Sequence, residues 1–299
     1  MKGKDLLTLE ELSQGDVESL FRQAERLRQD KHAKPLSGKT LGLVFQKPSM
    51  RTRVSFEIGM VQLGGHTVYL GTDEIQLGVR EATKDIAAVL SRYLDGIVAR
   101  TFGHRDVELL AKHATVPVIN GLSDLHHPCQ ALSDLYTIWK KKGVLKGIRL
   151  AYVGDGNNVL HSLLLGARLV GMHVSVATPK GYEPKPAIVA KASRQVRLSN
   201  DPAKAVEEAD VVYTDVWTSM GQEKEKALRK KAFQAFRIDQ GLMKKAKRGA
   251  LFMHCLPAHR GEEVTDEVLD GIHSVVFDQA ENRLHLQKAL LVWLLGKNR

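Results

Sequence analysis

The chain has 299 residues and a formal net charge of +10, with 43% hydrophobic and 26% charged residues. These proportions are typical of a globular protein with room for two domains. No apolar run reaches the roughly 18–20 residues of a membrane span, and no signal-peptide core opens the sequence. The sequence therefore excludes a membrane-spanning protein and predicts a cytoplasmic one that does not bind membranes.

The cysteines and the positive charge further restrict the kinds of site and ligand that the protein can have. Cys129 and Cys255 lie far apart and form no CxxC motif, which argues against a disulfide framework and a zinc site. The positive charge is compatible with an anionic ligand or with nucleic acid. Because the basic clusters at 140–142 and 244–248 contain no aromatic residues, we interpret them as solvated faces and not as a nucleic-acid surface.

A helix is predicted over residues 8–29. Thr8 and Glu11 have the spacing of a capping box, and apolar residues from Val17 to Leu27 fall on one face. Strands and helices then alternate. Strands are predicted at 40–45, 66–71, 95–100 and 116–120, and helices at 54–65, 82–94 and 106–114.

A long helix at 128–143 leads into a second alternating series. Its strands are predicted at 148–153, 173–179, within 205–215, 249–257 and 273–278, and its helices at 159–171, 186–195 and 282–296. Such alternation predicts parallel sheets that are covered on both faces. We therefore expect an α/β protein with two doubly wound parallel-sheet domains, 1–133 and 134–280, the first completed by the C-terminal helix 281–299.

Six polar clusters lie at or just after the ends of predicted strands. In open parallel sheets, ligands bind beyond the carboxyl ends of the strands. The coincidence of the six therefore predicts an active site in the cleft between the two domains. The clusters are KPSMRTR at 47–53, Arg100, HHPCQ at 126–130, GDGNN at 154–158, DVWTSMG at 215–221 and HCLPAHR at 254–260.

The segment KPSMRTR has the composition of an anion site. A loop that enters a helix N-terminus presents free N–H groups. Ser49 and Thr52 add hydroxyl groups, and Arg51 and Arg53 add guanidinium groups that suit phosphate. A capped helix with solvent-facing arginines is the alternative. The GxxxxGK[ST] pattern is absent, so the segment is not a P-loop.

GDGNN and HCLP each allow two interpretations. The dinucleotide-binding glycine pattern fails at Val159, and no acidic residue ends the next strand. Asn157 and Asn158 are therefore either ligands for a small polar group or turn residues. Cys255 is either a nucleophile or a structural cysteine. His254 need not act as its base, because neighbours on a strand point to opposite faces.

The motifs SMRTR, HPCQ, DVWTSMG, HCLPAHR and AENR resemble, nearly end to end and in the same order, those of ornithine carbamoyltransferases. The first two are shared with the wider carbamoyltransferase family, whereas DxxxSMG with HCLP is the signature for ornithine. The resemblance implies transfer of the carbamoyl group of carbamoyl phosphate to the δ-amine of ornithine through a tetrahedral intermediate, giving citrulline and phosphate. It also implies a homotrimer or a multiple of trimers, without metal or cofactor.

The same resemblance implies the site residues, with carbamoyl phosphate on the first domain and ornithine on the second. Catalysis would involve Arg51, Thr52, Arg100, His127 and Cys255. The carbamoyl phosphate site would add Ser49, Met50, Gln76, Gln130, Leu256 and Arg283, and Gln76 would reach a neighbouring subunit's site. Ornithine would be held by Asn158, Asp215, Ser219 and Met220.

Departures from the family pattern are small, and alternative acceptors stay open. The phosphate loop reads FQKPSMRTR where FEKPSTRTR is commoner, and Met50 occupies a position that offers mainly its backbone N–H. Putrescine, N-acetylornithine and aspartate are the rival acceptors. Asp215 followed by SMG favours an amino acid with a free α-ammonium. A non-catalytic anion-binding or nucleic-acid-binding protein is the rival from another class, and it predicts no citrulline.

Overall fold

The structure, a computed structural model, describes residues 4–219 and 221–296. It divides into two compact units. The first takes in the described parts of Met1–Ser133 and Glu281–Arg299, and the second takes in the described part of Asp134–Ala280. The boundaries between the units fall within two helices, α5 (Pro128–Lys142) and α12 (Val276–Leu295).

The first unit is built on a parallel sheet. Its strands are β1 (Thr40–Phe45), β2 (His66–Leu70), β3 (Gly96–Arg100) and β4 (Val118–Leu122), and its helices include α1 (Gln14–Gln29), α2 (Met50–Gln62), α3 (Thr83–Tyr93) and α4 (His104–His113). The spatial order is β2-β1-β3-β4. The central strands β1 and β3 are almost wholly buried, as apolar runs covered on both faces should be, whereas the edge strand β2 is partly exposed.

The second unit repeats this architecture. Its strands are β5 (Arg149–Val153), β6 (His173–Ala177), β7 (Val196–Ser199), β8 (Val211–Thr214) and β9 (Leu251–His254), and its helices include α6 (Asn158–Val170), α7 (Pro186–Ala192), α8 (Pro202–Val206), α9 (Lys226–Phe233), α10 (Gln240–Met243) and α11 (Asp266–Leu269). The strands are parallel, in the order β7-β6-β5-β8-β9. The chain direction therefore places the carboxyl ends of β5, β8 and β9 at one edge of this sheet.

The start and the end of helix α6 are set by the residues that flank it in the sequence. The side chain of Asn157 accepts hydrogen bonds from the backbone N–H groups of Val159 and Leu160, which satisfies two free donors at the start of the helix. Gly171 ends the helix in the left-handed conformation, with φ of 72°. Nearly every residue between these points is buried. The turn before α6 is thus anchored to a rigid element.

The prediction of two α/β units with parallel sheets is confirmed, and the first difference from the sequence analysis lies at residues 8–29. They do not form one helix. The capping box of Thr8 and Glu11 starts a short 3-10 turn, Leu9–Glu11. Ser13 then caps α1 by accepting from the backbone N–H of Asp16. Two successive caps therefore break a segment whose apolar spacing alone predicted continuity.

Two further differences lie in the second unit and at its end. The predicted strand at 273–278 is wrong, because Ser274 makes an isolated bridge with Phe252 and helix α12 begins at Val276. Strand β7 was missed. As an edge strand paired with β6, it is mostly exposed or half-buried, so its sequence VRLS lacks the apolar run of a covered strand.

None of the helices in the described part of the chain combines the length and the apolar character that a bilayer crossing requires.

Candidate active site

The first group of candidate residues lies where β1 leads into α2. Ser49 caps α2, its hydroxyl oxygen accepting from the backbone N–H of Thr52 at 3.3 Å. Met50 is the first helical residue and its side chain is exposed. Because the first N–H groups of a helix have no partner within it, this turn presents donors and the positive end of the helix dipole. The geometry suits an anion.

Arginine side chains crowd the same region of the first unit. Arg100 ends β3 and Arg283 lies on α12, and both are buried. Burial, together with the charges of Arg283 and Arg51, lowers the pKa of Arg100 to about 10. The Nε atom of Arg100 is buried and has no hydrogen-bond partner among the described residues. A cluster of mutually repelling cations with an unsatisfied donor is stabilised by an anion.

Arg283 is tied to two other candidate residues. Its Nη1 donates to Oε1 of Gln130 at 2.6 Å, and its Nη2 donates to Oγ1 of Thr52 at 3.1 Å. These three side chains are buried. Bonds between α12, α5 and α2 therefore fix the arginine beside the start of α2, although 231 residues separate Arg283 from Thr52 in the sequence.

His127 is a neutral histidine in this cationic surrounding. Burial lowers its pKa well below the usual range, and the charges of Arg283 and Arg100 act in the same direction. At neutral pH its ring can therefore donate or accept a hydrogen bond without adding positive charge. The neighbouring Cys129 is a structural cysteine, since burial raises the pKa of its thiol to about 12.

The second group of candidate residues lies in the second unit, around Asp215. This buried carboxylate follows β8 directly. Its Oδ1 accepts from the thiol of Cys255 at 2.9 Å and from the backbone N–H of Val216 at 2.8 Å. Its Oδ2 accepts from Nδ2 of Asn157 at 2.7 Å. The carboxylate is thus oriented by groups from the ends of three strands, β5, β8 and β9.

The turn GDGNN places Asn157 for this contact. A Cβ atom on Gly156 would lie 2.3 Å from the backbone of Glu183 and Pro184, so only glycine fits there. Asn157 uses its amide oxygen to cap α6 and its amide nitrogen to hold Asp215. Asn158 is the first residue of α6 and is half-buried. The tight turn and the cap together fix the orientation of Asp215.

The segment HCLP turns sharply after β9. His254 is buried; its Nδ1 accepts from the backbone N–H of Leu256 at 2.8 Å, and its Nε2 lies 3.3 Å from Oε1 of the buried Glu263. Leu256 has a left-handed backbone with φ of 58°, which costs a leucine about 1–2 kcal/mol. Because both ring nitrogens of His254 have partners, this histidine is not placed to act as a base for Cys255.

A buried ion pair links two segments beside Asp215 in the second unit. Arg229 lies on α9, and its Nη2 is 2.5 Å from Oδ2 of Asp155. Its Nε donates to the carbonyl oxygen of Trp217 at 2.6 Å. Burial raises the pKa of Asp155 to about 6, with Arg229 opposing the shift and Asp215 adding to it. Arg229 therefore links two segments, the turn that contains Asn157 and the segment that follows Asp215.

Two family models match most of the chain. The model of the aspartate/ornithine carbamoyltransferase carbamoyl-P binding domain matches residues 4–140, and that of the Asp/Orn binding domain matches residues 146–294. The chain is 54% identical to the ornithine carbamoyltransferase of Anoxybacillus flavithermus over 306 residues, covering 99% of this chain and 98% of that protein. It is 54% identical to the ornithine carbamoyltransferase of Pyrococcus abyssi over 307 residues, covering 99% of this chain and 97% of that protein.

Solved structures show the same similarity. The ornithine carbamoyltransferase of Pyrococcus furiosus superposes with a TM-score of 0.96 at 52% identity, covering 100% of this chain and 99% of that one. That of Thermus thermophilus superposes with a TM-score of 0.91 at 47% identity, covering 97% and 98%. The chain belongs to the aspartate/ornithine carbamoyltransferase family.

Most residues that the carbamoyltransferase resemblance implied fall into the two groups. In the first unit the structure brings together Ser49, Arg51, Thr52, Arg100, His127, Gln130 and Arg283. In the second unit, Asp215 and Cys255 are in contact. Leu256 follows Cys255 directly, and Ser219 is half-buried, its backbone N–H donating to Oε1 of Gln222 at 3.0 Å.

Two implied or suggested ligands stand apart from these groups. Gln76 is exposed, in the segment between β2 and α3. Arg53 was expected to add a guanidinium to the anion site. Instead, its Nε donates to Oε1 of Glu57 at 2.9 Å, and its Cζ lies 3.8 Å from the centre of the Tyr69 ring. It points along the exposed side of α2, one helical position beyond Thr52. Met220 lies outside the described residues.

Sequence reasoning missed the roles of Asn157, Glu263 and Arg229. A turn asparagine looks the same in sequence whether it caps a helix or also holds a carboxylate. Arg229 sits in the charged run EKEKALRKK, and nothing in that pattern marks it as the buried member. A role for Glu263, the buried glutamate in HRGEEV, could have been suspected because this segment follows HCLP closely in the sequence.

Two clusters in the described part of the chain have donor atoms within 4.8 Å of one another and could accept a cation: Asp215 with His254 and Cys255, and His259 with Glu262 and Glu263. In the first cluster, Cys255 donates to Asp215. In the second, Glu262 pairs with Lys230 at 3.2 Å. These donors already serve bonds within the protein.

Proposed function

We propose that the chain is an ornithine carbamoyltransferase, which transfers the carbamoyl group of carbamoyl phosphate to the δ-amine of L-ornithine and releases L-citrulline and phosphate. The observation that carries this proposal is the buried cationic cluster around Arg100 at the N-terminus of α2. An anion would stabilise this cluster, and its members Arg51 and Arg100 lie in the part of the chain that matches a carbamoyl-P binding domain. Identities of 54% to proteins named ornithine carbamoyltransferase support the choice of acceptor.

The first unit would bind carbamoyl phosphate. The hydroxyl of Ser49, the backbone N–H of Met50 and the guanidinium of Arg51 suit the phosphate, whose charge grows as it becomes the leaving group. Gln130 and Arg283 are bonded to each other and extend the donor array. Binding of the phosphate dianion would offset the mutual repulsion of these crowded cations.

The carbonyl oxygen of carbamoyl phosphate would be polarised by Thr52, Arg100 and His127. As the amine attacks, this oxygen gains negative charge in the tetrahedral intermediate. Donors that are already held in place stabilise that charge without reorganisation, and the loss of one costs roughly a hundredfold or more in rate. His127, neutral because its pKa is lowered, can donate from one ring nitrogen.

The second unit would bind ornithine. Asp215 suits the α-ammonium, and Asn158, Ser219 and Met220 would complete the contacts. At pH 7 an amine with a pKa of about 10.4 pays about 4.6 kcal/mol to lose its proton. Removal from water beside cations reduces that cost. Cys255, oriented by Asp215, would contact the attacking amine, and Leu256 would contact the carbamoyl group.

We also propose a homo-oligomer built from trimers. An apolar stripe on the exposed side of α2 supports it: Met50, Val54, Ile58 and Val61, each 42–68% exposed. Spacings of three or four residues place them on one helix face. Gln76 is exposed, as a residue that serves a neighbouring subunit's site should be. Contiguous apolar surface of this kind marks protein interfaces.

The test is one assay with four acceptors. Carbamoyl phosphate is incubated with ornithine, putrescine, N-acetylornithine or aspartate, and carbamoylated product and phosphate are measured. Ornithine should be used at least a hundredfold more efficiently than the others. Turnover of another acceptor in its place would refute the specificity, and no turnover of any would refute the enzyme.

An arginine pair tests the site itself. Arg51→Ala should lower kcat/KM at least a hundredfold. The exposed Arg105, on α4, provides the matched control, and Arg105→Ala should leave the rate unchanged. Near-normal turnover by Arg51→Ala would refute the phosphate assignment.

A further inference from the structure

Beneath Cys255 and Leu256 lies a buried histidine–glutamate pair. The side chains of His254 and Glu263 are both fully buried, and Nε2 of the histidine lies 3.3 Å from Oε1 of the glutamate. The same oxygen accepts from the backbone N–H of His259. The two residues lie on either side of the turn that follows β9. Neither belongs to the residues that the family resemblance implied for the site.

The hydrogen bonds fix the tautomer of His254. A backbone N–H can only donate, so Nδ1, which accepts from Leu256 N–H at 2.8 Å, carries no proton. The remaining proton of the neutral ring must be on Nε2, which faces the carboxylate of Glu263. Protonation of Nδ1 would place two donors against each other and break the bond to Leu256. Glu263 thus selects the ring form that can hold the Leu256 peptide.

The peptide that is held in this way is a strained one. Leu256 adopts a left-handed conformation, which a leucine avoids unless its surroundings impose it. The bond from its N–H to His254 is one such constraint. On the other side, the backbone N–H of His254 donates to Oε1 of the buried Gln279 at 3.0 Å. The main chain that carries the Cys255 thiol is therefore anchored at both flanking residues.

We propose that His254, oriented by Glu263, is a positioning residue for carbamoyl transfer: its Nδ1 sets the Leu256 peptide and, through it, the Cys255 thiol beside Asp215. This inference rests on the proposed function, in which Cys255 and Leu256 contact the reacting groups. His254 itself does not touch substrate and moves no proton. Its contribution is geometric, and displacement of a reacting group by about 1 Å can cost on the order of a hundredfold in rate.

Two substitutions of His254 separate positioning from packing. In His254→Asn, the amide oxygen replaces Nδ1 and can still accept from Leu256 N–H, although the contact with Glu263 is lost. In His254→Leu, the side chain is buried but accepts nothing. We expect His254→Leu to lower kcat roughly tenfold to a hundredfold and His254→Asn to stay within about threefold of wild type. Equal activity of the two variants, whether both normal or both impaired, would overturn the proposal.

Inhibition by inorganic phosphate adds a readout that general damage would change. Phosphate is proposed to bind residues of the first unit, so its inhibition constant should vary by less than about twofold among these variants while kcat falls. A parallel weakening of phosphate inhibition in His254→Leu would indicate global disturbance and contradict a positioning role.

Glu263 offers a second pair with a neighbouring control. Glu263→Gln keeps an oxygen that can accept from Nε2 of His254 and should retain most of kcat, whereas Glu263→Met should lower it about tenfold. The adjacent Glu262 has an ion pair with Lys230 and is not part of the histidine contact. Glu262→Met should therefore behave as wild type. An equal loss in Glu262→Met and Glu263→Met would refute the role of Glu263.

The tautomer can be measured on the wild-type protein without any reaction. Imidazole 15N shifts of histidine-labelled protein distinguish the two neutral tautomers and the cation, and the signal that disappears in His254→Asn identifies this ring. We expect the form protonated on Nε2. A proton on Nδ1 would overturn the inference. Wild-type protein that fails to use ornithine would refute the proposed function alone, because the tautomer measurement does not depend on turnover.

Discussion

Replacing Arg100 by methionine should raise the free energy of unfolding of the phosphate-free protein and abolish most of its catalytic activity. Burial, and then the charges of Arg283 and Arg51, lower the pKa of this arginine to about 10. At 1.36 kcal/mol for each pKa unit, the charged form is disfavoured by about 3 kcal/mol relative to water. Because the pKa is lowered in the folded state, this cost applies at every pH below about 10 and is relieved as pH rises towards 12.5.

Methionine fills a similar volume without charge, so Arg100→Met removes both the cost and the unsatisfied Nε. We expect the free energy of unfolding in phosphate-free buffer to rise by about 1–3 kcal/mol. The wild-type protein should gain about 2.7 kcal/mol when inorganic phosphate reaches a hundred times its dissociation constant. Arg100→Met should lose most of that gain.

Urea unfolding in the absence and presence of inorganic phosphate measures both quantities, and a coupled assay of citrulline formation measures the rate, which should fall at least a hundredfold. The control is Arg105→Met, an exposed arginine of the same unit, with little effect on either. The reasoning is refuted if Arg100→Met is less stable than wild type without phosphate. It is also refuted if the variant keeps the full phosphate-dependent stabilisation.

Three further predictions concern the turn of the second unit and the stripe on α2. Gly156→Ala should cost about 1–3 kcal/mol of stability, because its Cβ would lie 2.3 Å from backbone atoms, whereas Gly15→Ala meets nothing closer than 3.8 Å and should be neutral in thermal denaturation. Because the pKa of Asp155 is raised to about 6, this group stabilises the fold below pH 4 and loses that contribution as pH rises through 6. Relative to wild type, the free energy of unfolding of Asp155→Asn in urea titrations should therefore rise by up to about 3 kcal/mol between pH 4 and 7. Parallel pH profiles of the two proteins would contradict this. Ile58→Lys should dissociate the proposed oligomer in light scattering, whereas Leu228→Lys, at a more exposed apolar site on α9, should not; a monomeric wild type would refute the oligomer.

The fold was largely predictable because its signals are local. Apolar runs separated by amphipathic helices predict covered parallel strands wherever both faces are buried, as in β1, β3 and β8. The failures occurred where that condition does not hold. Strand β7 is an exposed edge, and within residues 273–278 only Val275 and Val276 are buried, where helix α12 begins.

The candidate site was predictable in part for the same reason. KPSMRTR could be recognised because a strand, a loop and a helix start are consecutive in sequence. The partners of its residues could not be found that way. Arg283 meets Thr52 only because α12 packs in the first unit, and Arg53, with the same chemistry as Arg51, points away along α2.

What the sequence determined by itself is the chemistry that each strand end carries: hydroxyls and guanidiniums after β1, a carboxylate after β8 and a thiol after β9. These follow from residue identity and from strand polarity. The tertiary structure decided which groups share an environment, and hence their charge states. The lowered pKa of Arg100 and the neutral His127 arise from burial beside Arg283. The tautomer of His254 arises from a glutamate nine residues away. Burial and long-range contact set these properties, and neither is encoded in the local pattern of the chain.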